Sequence, residues 1–269
     1  MAIDSGRFKS HAAVASVVLV MLAAAAGCWA FALSLRPCRV RFDPGTLVSY
    51  RLVSEFAELG ADDAPGEPVT RENEISLVCI GADNEVALVG PGGGGRDEVT
   101  LLSFAADGAA RVLDGDSRAG DDGKALGFFD FNLLPLPRQP TDQAWTVPLV
   151  YSALPPGKRN VEGKVRRISN TATPEFELRL FQHSLPTIEW VNERNRYQQV
   201  RDLVCTYRFD PRLGLVDHAT VKCLAGVERD DGRHRWRVRV DLDLAAVQRA
   251  HDDVGSLRDL ALASRDVQD

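Results

Sequence analysis

The chain has little of what metal proteins and hydrolases carry. Across 269 residues there are five cysteines and five histidines, with no Cys-x-x-Cys, no His-x-His and no His-Glu-x-x-His. Zinc sites rely on such spacings to bring several ligands within bonding distance of one ion, so the sequence offers no zinc site. There is no Gly-x-Ser-x-Gly elbow, and the His218 that follows Asp217 has no recognisable nucleophile to activate. Aromatic residues make up only 7%, and no exposed aromatics are expected to interleave with the basic ones, which together with the envelope location read below sets nucleic acid aside. The absence of any Asn-x-Ser/Thr sequon fits a bacterial envelope protein. What remains is globular: 45% hydrophobic, 26% charged, with a net charge of −6.

One apolar run is long enough to cross a bilayer. Ala12 to Leu35 is 24 residues without a charge, about 36 Å as a helix against a hydrocarbon core of about 30 Å. Nine of these positions are Val, Leu or Phe, which favours insertion by roughly 3–5 kcal/mol. Arg7 and Lys9 before the run are matched by Arg36, Arg39 and Arg41 after it. The short basic segment ahead of the run therefore decides for an uncleaved signal anchor with the N-terminus inside. The predicted location is the bacterial cell envelope, as a single-pass inner-membrane protein with its C-terminal domain extracytoplasmic. Two rival readings share that location: lipidation of Cys28 in Ala25-Ala26-Gly27-Cys28, and ordinary cleavage near Ala26.

Beyond the run, apolar and polar residues alternate with period two, the pattern of half-solvated antiparallel strands. Val48, Tyr50, Leu52 and Phe56 alternate with Ser49, Arg51, Val53 and Glu55; Phe176, Leu178 and Leu180 alternate with Glu175, Glu177 and Arg179. Trp236, Val238, Val240, Leu242 and Leu244 face Arg235, Arg237, Arg239, Asp241 and Asp243. Turn signals separate the strands at Asp83-Asn84, Asp107-Gly108, Asp210 to Gly214 and Asp231-Gly232, the Asp-Gly pairs suiting a type I′ turn. A turn centred near Arg212 sets Cys205 opposite Ala219, out of register with Cys223, so no disulfide is expected and Cys38, Cys79, Cys205 and Cys223 read as buried thiols.

Prolines crowd between Pro135 and Pro156, which marks a crossover whose aromatics and leucines should still pack. After Asp243 the spacing of Leu244, Val247, Ala250, Val254, Leu257 and Ala261 predicts an amphipathic helix. The expected fold is mainly β. Its parts are a cytoplasmic segment (1–11), a transmembrane signal-anchor helix (12–35), a first antiparallel β lobe (36–127), a Pro-rich crossover (128–143), a second lobe (144–243) and a C-terminal helix (244–266), the lobes being curved sheets or a sandwich.

Leu134-Pro135-Leu136-Pro137, Trp145 and the run Tyr207 to Val216, with its Phe209-Asp210-x-x-x-Gly214 hairpin, give a more specific pattern. It resembles a loosely defined family of uncharacterised bacterial membrane-anchored, β-rich envelope proteins. The likeness implies an anchor followed by β repeats and transfers no active site. Two curved lobes with a helix also look like periplasmic lipoprotein carriers, at the level of fold alone.

Candidate sites are sparse. Gly90 to Arg96 lacks the Lys-Ser/Thr of a phosphate loop and reads as a strand connection. Asp114, Asp116, Asp121 and Asp122 have the oxygens for calcium, but Arg118 interrupts the ligand pattern, so they read as a solvated loop. The basic residues are the better lead. Arg233, Arg235, Arg237 and Arg239 share one strand face, and Lys164, Arg166 and Arg167 belong to the same lobe. Together they form a possible interaction face for anionic headgroups or an acidic subunit; cross-strand pairing with Glu175, Glu177 and Asp241 is the competing reading. The sequence therefore predicts a non-enzymatic, membrane-anchored binding module or accessory subunit of a membrane complex, without cofactor. Its expected partners are the membrane through residues 12–35 and an envelope protein. A periplasmic lipid or lipoprotein carrier with an apolar groove is the alternative.

Overall fold

The computed structural model describes residues 38–81, 84–91, 97–112, 128–138, 143–152, 154, 159–169, 171–185, 190–191, 196–229 and 232–249, together with Met21. In chain order the strands are β1 (Thr46–Glu58), β2 (Val69–Cys79), β3 (Glu85–Pro91), β4 (Asp97–Phe104), β5 (Ala110–Val112), β6 (Trp145–Val150), β7 (Asn160–Ser169), β8 (Glu175–Leu180), β9 (Trp190–Val191), β10 (Arg196–Asp210), β11 (Leu215–Arg229) and β12 (Gly232–Arg249). All pair antiparallel in one sheet of order β5-β4-β3-β2-β1-β12-β11-β10-β8-β7-β6, with β9 beside β10. The strands expected from period-two alternation are all present. The two lobes are not separate: β12 returns to pair along the whole of β1, from Thr46 opposite Arg249 to Glu58 opposite Trp236, and makes one sheet of them.

One face of the sheet holds the main core. Val48, Tyr50 and Leu52 of β1, Phe176 and Leu178 of β8 and Val238, Val240 and Leu242 of β12 are buried on it. The segment 128–138 lies inside the curve of the sheet as core: Phe129, Phe131, Leu133, Leu134 and Leu136 are all buried. Phe131 sits edge-on to Phe104 at 5.5 Å, to Phe129 at 5.3 Å and to Tyr50 at 6.3 Å, the arrangement that aromatic quadrupoles favour. The crossover thus packs, as its composition requires.

Three expectations change. Leu244 to Arg249 continue β12 and start no helix. A bulge skips Ala245, so that Leu244 pairs with Tyr50 and Ala246 with Ser49. The extra residue stretches the spacing of Leu244 and Val247 to three, which imitates a helical period. Residues 250–266 lie outside the described residues. In the β10/β11 hairpin Cys205 faces Val221 and Tyr207 faces Ala219, a shift caused by a bulge at Arg208/Phe209. Cys205 and Cys223 are still out of register, and all four described cysteines are buried thiols; burial pushes Cys223 up to about 12. The Asp107-Gly108 turn is not type I′. Gly108 alone has positive φ (86°), its N–H donates to Ala105 O at 3.0 Å and Ala105 N–H to Ala109 O at 2.8 Å, a turn closed by a left-handed glycine in a bulge.

Among the described residues no helix is long and apolar enough to cross a membrane. The expected span 12–35 lies outside them apart from Met21, as do Cys28, Gly92–Arg96 and the acidic loop at 114–122.

Candidate functional site

The sheet curls until its two edges meet the same cleft. Ala110 and Arg111 of β5 line it on one side, Trp145 to Val150 of β6 on the other, with Pro135 to Arg138 between them. Accumulated strand twist brings edge strands around in this way. The open-sided cleft has a volume of about 1150 Å³, slightly larger than the usual range of small-molecule sites.

Local chemistry fixes its walls. Asp130 anchors the crossover: its carboxylate accepts from Asn132 N at 2.8 Å, Ser152 N at 2.6 Å and Ser152 Oγ at 2.5 Å. Burial raises its carboxyl and these hydrogen bonds lower it, with burial prevailing. Asn132 Oδ1 accepts from Ala110 N at 2.8 Å, and Leu136 N donates to Asp107 O at 2.8 Å, which ties β5 to the crossover. Tyr207 and Tyr151 donate their hydroxyls to Pro135 O and Phe128 O. On β6, Trp145, Val147 and Leu149 are half-buried and form the apolar wall. Pro148 deprives the free edge of a donor, a common protection against edge-to-edge pairing.

Inside the curve the residual space between Tyr50, Phe104, Phe131 and Val216 is about 20 Å³, room for about one water molecule. Among the described residues the crossover fills the space inside the curve, and the larger open cleft is the one at the seam.

The predicted basic face divides. Arg235 pairs with Asp63 at 2.5 Å, Arg239 with Asp241 at 2.7 Å and Arg166 with Glu177 at 2.9 Å. Arg237 is exposed in an outer groove of about 500 Å³ with Lys222, Glu55 and Asp202. Lys164 and Arg166 point outward on β7, whereas Arg167 turns to the opposite side, where its Nε donates to Ser169 O at 3.0 Å and its charge reaches Cys38. Strands β12 and β7 are four places apart in the sheet, about 19 Å, so the two basic groups are not one cluster. The side chain of Arg233 is outside the described residues; its backbone pairs with Glu228.

His218 belongs to a relay that sequence spacing did not reveal. Its Nδ1 meets Asp243 Oδ1 at 2.7 Å, its Nε2 lies 3.3 Å from Thr220 Oγ1, and Thr220 donates to Asp241 at 2.6 Å. The order resembles a hydroxyl–imidazole–carboxylate triad, but the hydroxyl proton is committed to Asp241. The flanking backbone is paired to strands on both sides, leaving no amides for an oxyanion. The relay reads as a cross-strand tie. His234 makes a similar contact with Glu58. Among the described residues no group of three His, Cys, Asp or Glu is placed to hold a metal ion.

The seam was not legible in the sequence as a site. Its components were visible separately as a Pro-rich crossover and a strand beginning at Trp145. No family profile and no curated protein matches the chain. Among solved structures, one of lipovitellin, on its lipid–protein interactions, aligns over 78% of this chain at 12% identity with a TM-score of 0.44. The alignment covers 26% of the lipovitellin chain and is too loose to carry a functional argument. Fold and cleft together define a single-sheet β protein with its own crossover packed inside and an open seam.

Proposed function

We propose that the protein is a non-catalytic binding module, held at the outer side of a bacterial inner membrane by residues 12–35, whose seam takes an elongated apolar ligand of the acyl-chain type. The observation that carries this reading is the cleft of about 1150 Å³ between β5 and β6, walled by Trp145, Val147, Leu149, Pro135 and Leu136. Six residues of β6 extend about 20 Å, and an acyl chain spans half of a hydrocarbon core of about 30 Å, so one chain fits along the strand. Burial against half-exposed apolar side chains supplies the affinity without new polar contacts.

A neutral solvatochromic dye reports on such a site. Val147→Ser with Leu149→Ser should weaken dye binding by roughly thirtyfold, because each loses about 1 kcal/mol of apolar contact, while the circular dichroism spectrum stays unchanged. Equal affinity in the two proteins would remove the seam as the site. A protein partner on the outer face is the second reading, favoured by Lys222 and Arg237, which make no ion pair among the described residues and line the outer groove. Copurification of a stoichiometric partner that Arg237→Glu releases would support it.

A further inference from the structure

The seam is not uniformly apolar, and its charges are unevenly placed. On the crossover side Arg138 reaches Asp107, Nε to Oδ2 at 3.1 Å, with the arginine side chain 86% exposed. Arg111 of β5, also exposed, lines the same wall and has no ion-pair partner among the described residues. Asp107 accounts for one guanidinium and leaves the wall with an excess positive charge. Among the described residues the remaining acid of the cleft is Glu162 on β7, which lies behind β6 as seen from the seam, and it points outward with Lys164. The half-buried side chains of β6, Trp145, Val147 and Leu149, are all apolar, and Pro148, opposite Glu162 in register, shares that residue's outward face. An apolar wall thus stands opposite a cationic one.

From this juxtaposition we infer that the ligand is a single-chain amphiphile with an anionic head, a carboxylate or phosphate, whose chain lies along β6 and whose head is held by Arg111 and Arg138. The inference rests on the apolar-seam reading and adds the head group to it. A guanidinium matches a two-oxygen anion in a planar, bidentate contact. Arg138 can keep Asp107 on Nε and still offer its terminal nitrogens. The head remains at the open side of the cleft in contact with water, so no charge is buried unpaired.

The test compares hexadecanoate, hexadecanol and inorganic phosphate on full-length protein by native mass spectrometry, with the Arg111→Gln/Arg138→Gln variant and its Arg→Lys counterpart. Both arginines are exposed, so neither variant should disturb folding. The wild type should bind hexadecanoate about fivefold more tightly than hexadecanol, the scale of an exposed charge pair. The Gln variant should bind the two equally, and the Lys variant should recover part of the preference. Equal binding of acid and alcohol by the wild type, or a preference that survives in the Gln variant, overturns the head-group assignment and leaves the apolar seam standing. Failure of both chains to bind overturns the seam reading as well. Arginine-dependent binding of phosphate without either chain makes this a free-anion site and overturns the amphiphile.

Discussion

Glu177 and Asp130 are both nearly buried carboxylates on this chain, and they titrate in opposite directions. Glu177 receives hydrogen bonds from Arg179 at 2.8 Å and Arg166 at 2.9 Å, which hold its carboxyl below the usual range against the cost of burial. Its folded value is therefore lower than its unfolded one. The stability it contributes is present above the unfolded value and is lost as pH falls through the folded one. Glu177→Gln should accordingly lower the urea midpoint at neutral pH and should match the wild type in acid, where the carboxyl is protonated in both states. A difference independent of pH would show that packing, rather than charge, is what Gln disturbs. Asp130 is raised by burial, so its ionisation costs most at neutral pH, a cost that donors from Asn132 and Ser152 offset only in part. Cross-strand pairing of the basic residues with Glu177 was one of the two readings the sequence offered, and Arg166 makes that pair; the second partner, Arg179, and the donors to Asp130 were not legible. Glu177 was visible as one of two carboxylates on a strand face, yet whether Arg166 answered it depended on β7 pairing with β8. Asp130 drew no notice because Ser152 reaches it only through the fold.

At the scale of the element, alternation and turn residues were informative because each is a local property. All four turn signals fall between consecutive strands, and Gly108, Gly214 and Gly232 take the positive φ that turns demand. Bulges broke the reading at two places, at Ala245 to imitate a helix and at Arg208/Phe209 to shift the cysteine register. Gly163 shows a different constraint. It sits inside β7, where a Cβ would approach Leu178 Cδ1 to 2.6 Å and Arg179 O to 3.0 Å. Gly163→Val should therefore destabilise by about 1–3 kcal/mol through overpacking, despite valine's better strand propensity. Thermal unfolding measures the balance; a raised melting temperature would mean that β8 yields easily and that the close packing there is not required.

For the whole molecule the decisive pairing is β1 with β12, which joins the beginning of the β region to its end. Nothing local in Thr46–Glu58 names Gly232–Arg249 as its neighbour, and two lobes were the natural reading of a chain divided by prolines. Once that pairing forms, the sheet is continuous, the crossover becomes the filling of its curve, and the two edges are left facing each other across the seam. The central claim is that this seam, and not the packed interior or the outer arginines, receives the ligand. Photocrosslinking full-length protein with a diazirine-bearing hexadecanoate, followed by peptide mapping, tests it most directly. Adducts should concentrate at 134–138 and 145–150. Adducts concentrated on the outer faces of β11 and β12, or spread evenly over the surface, would contradict it.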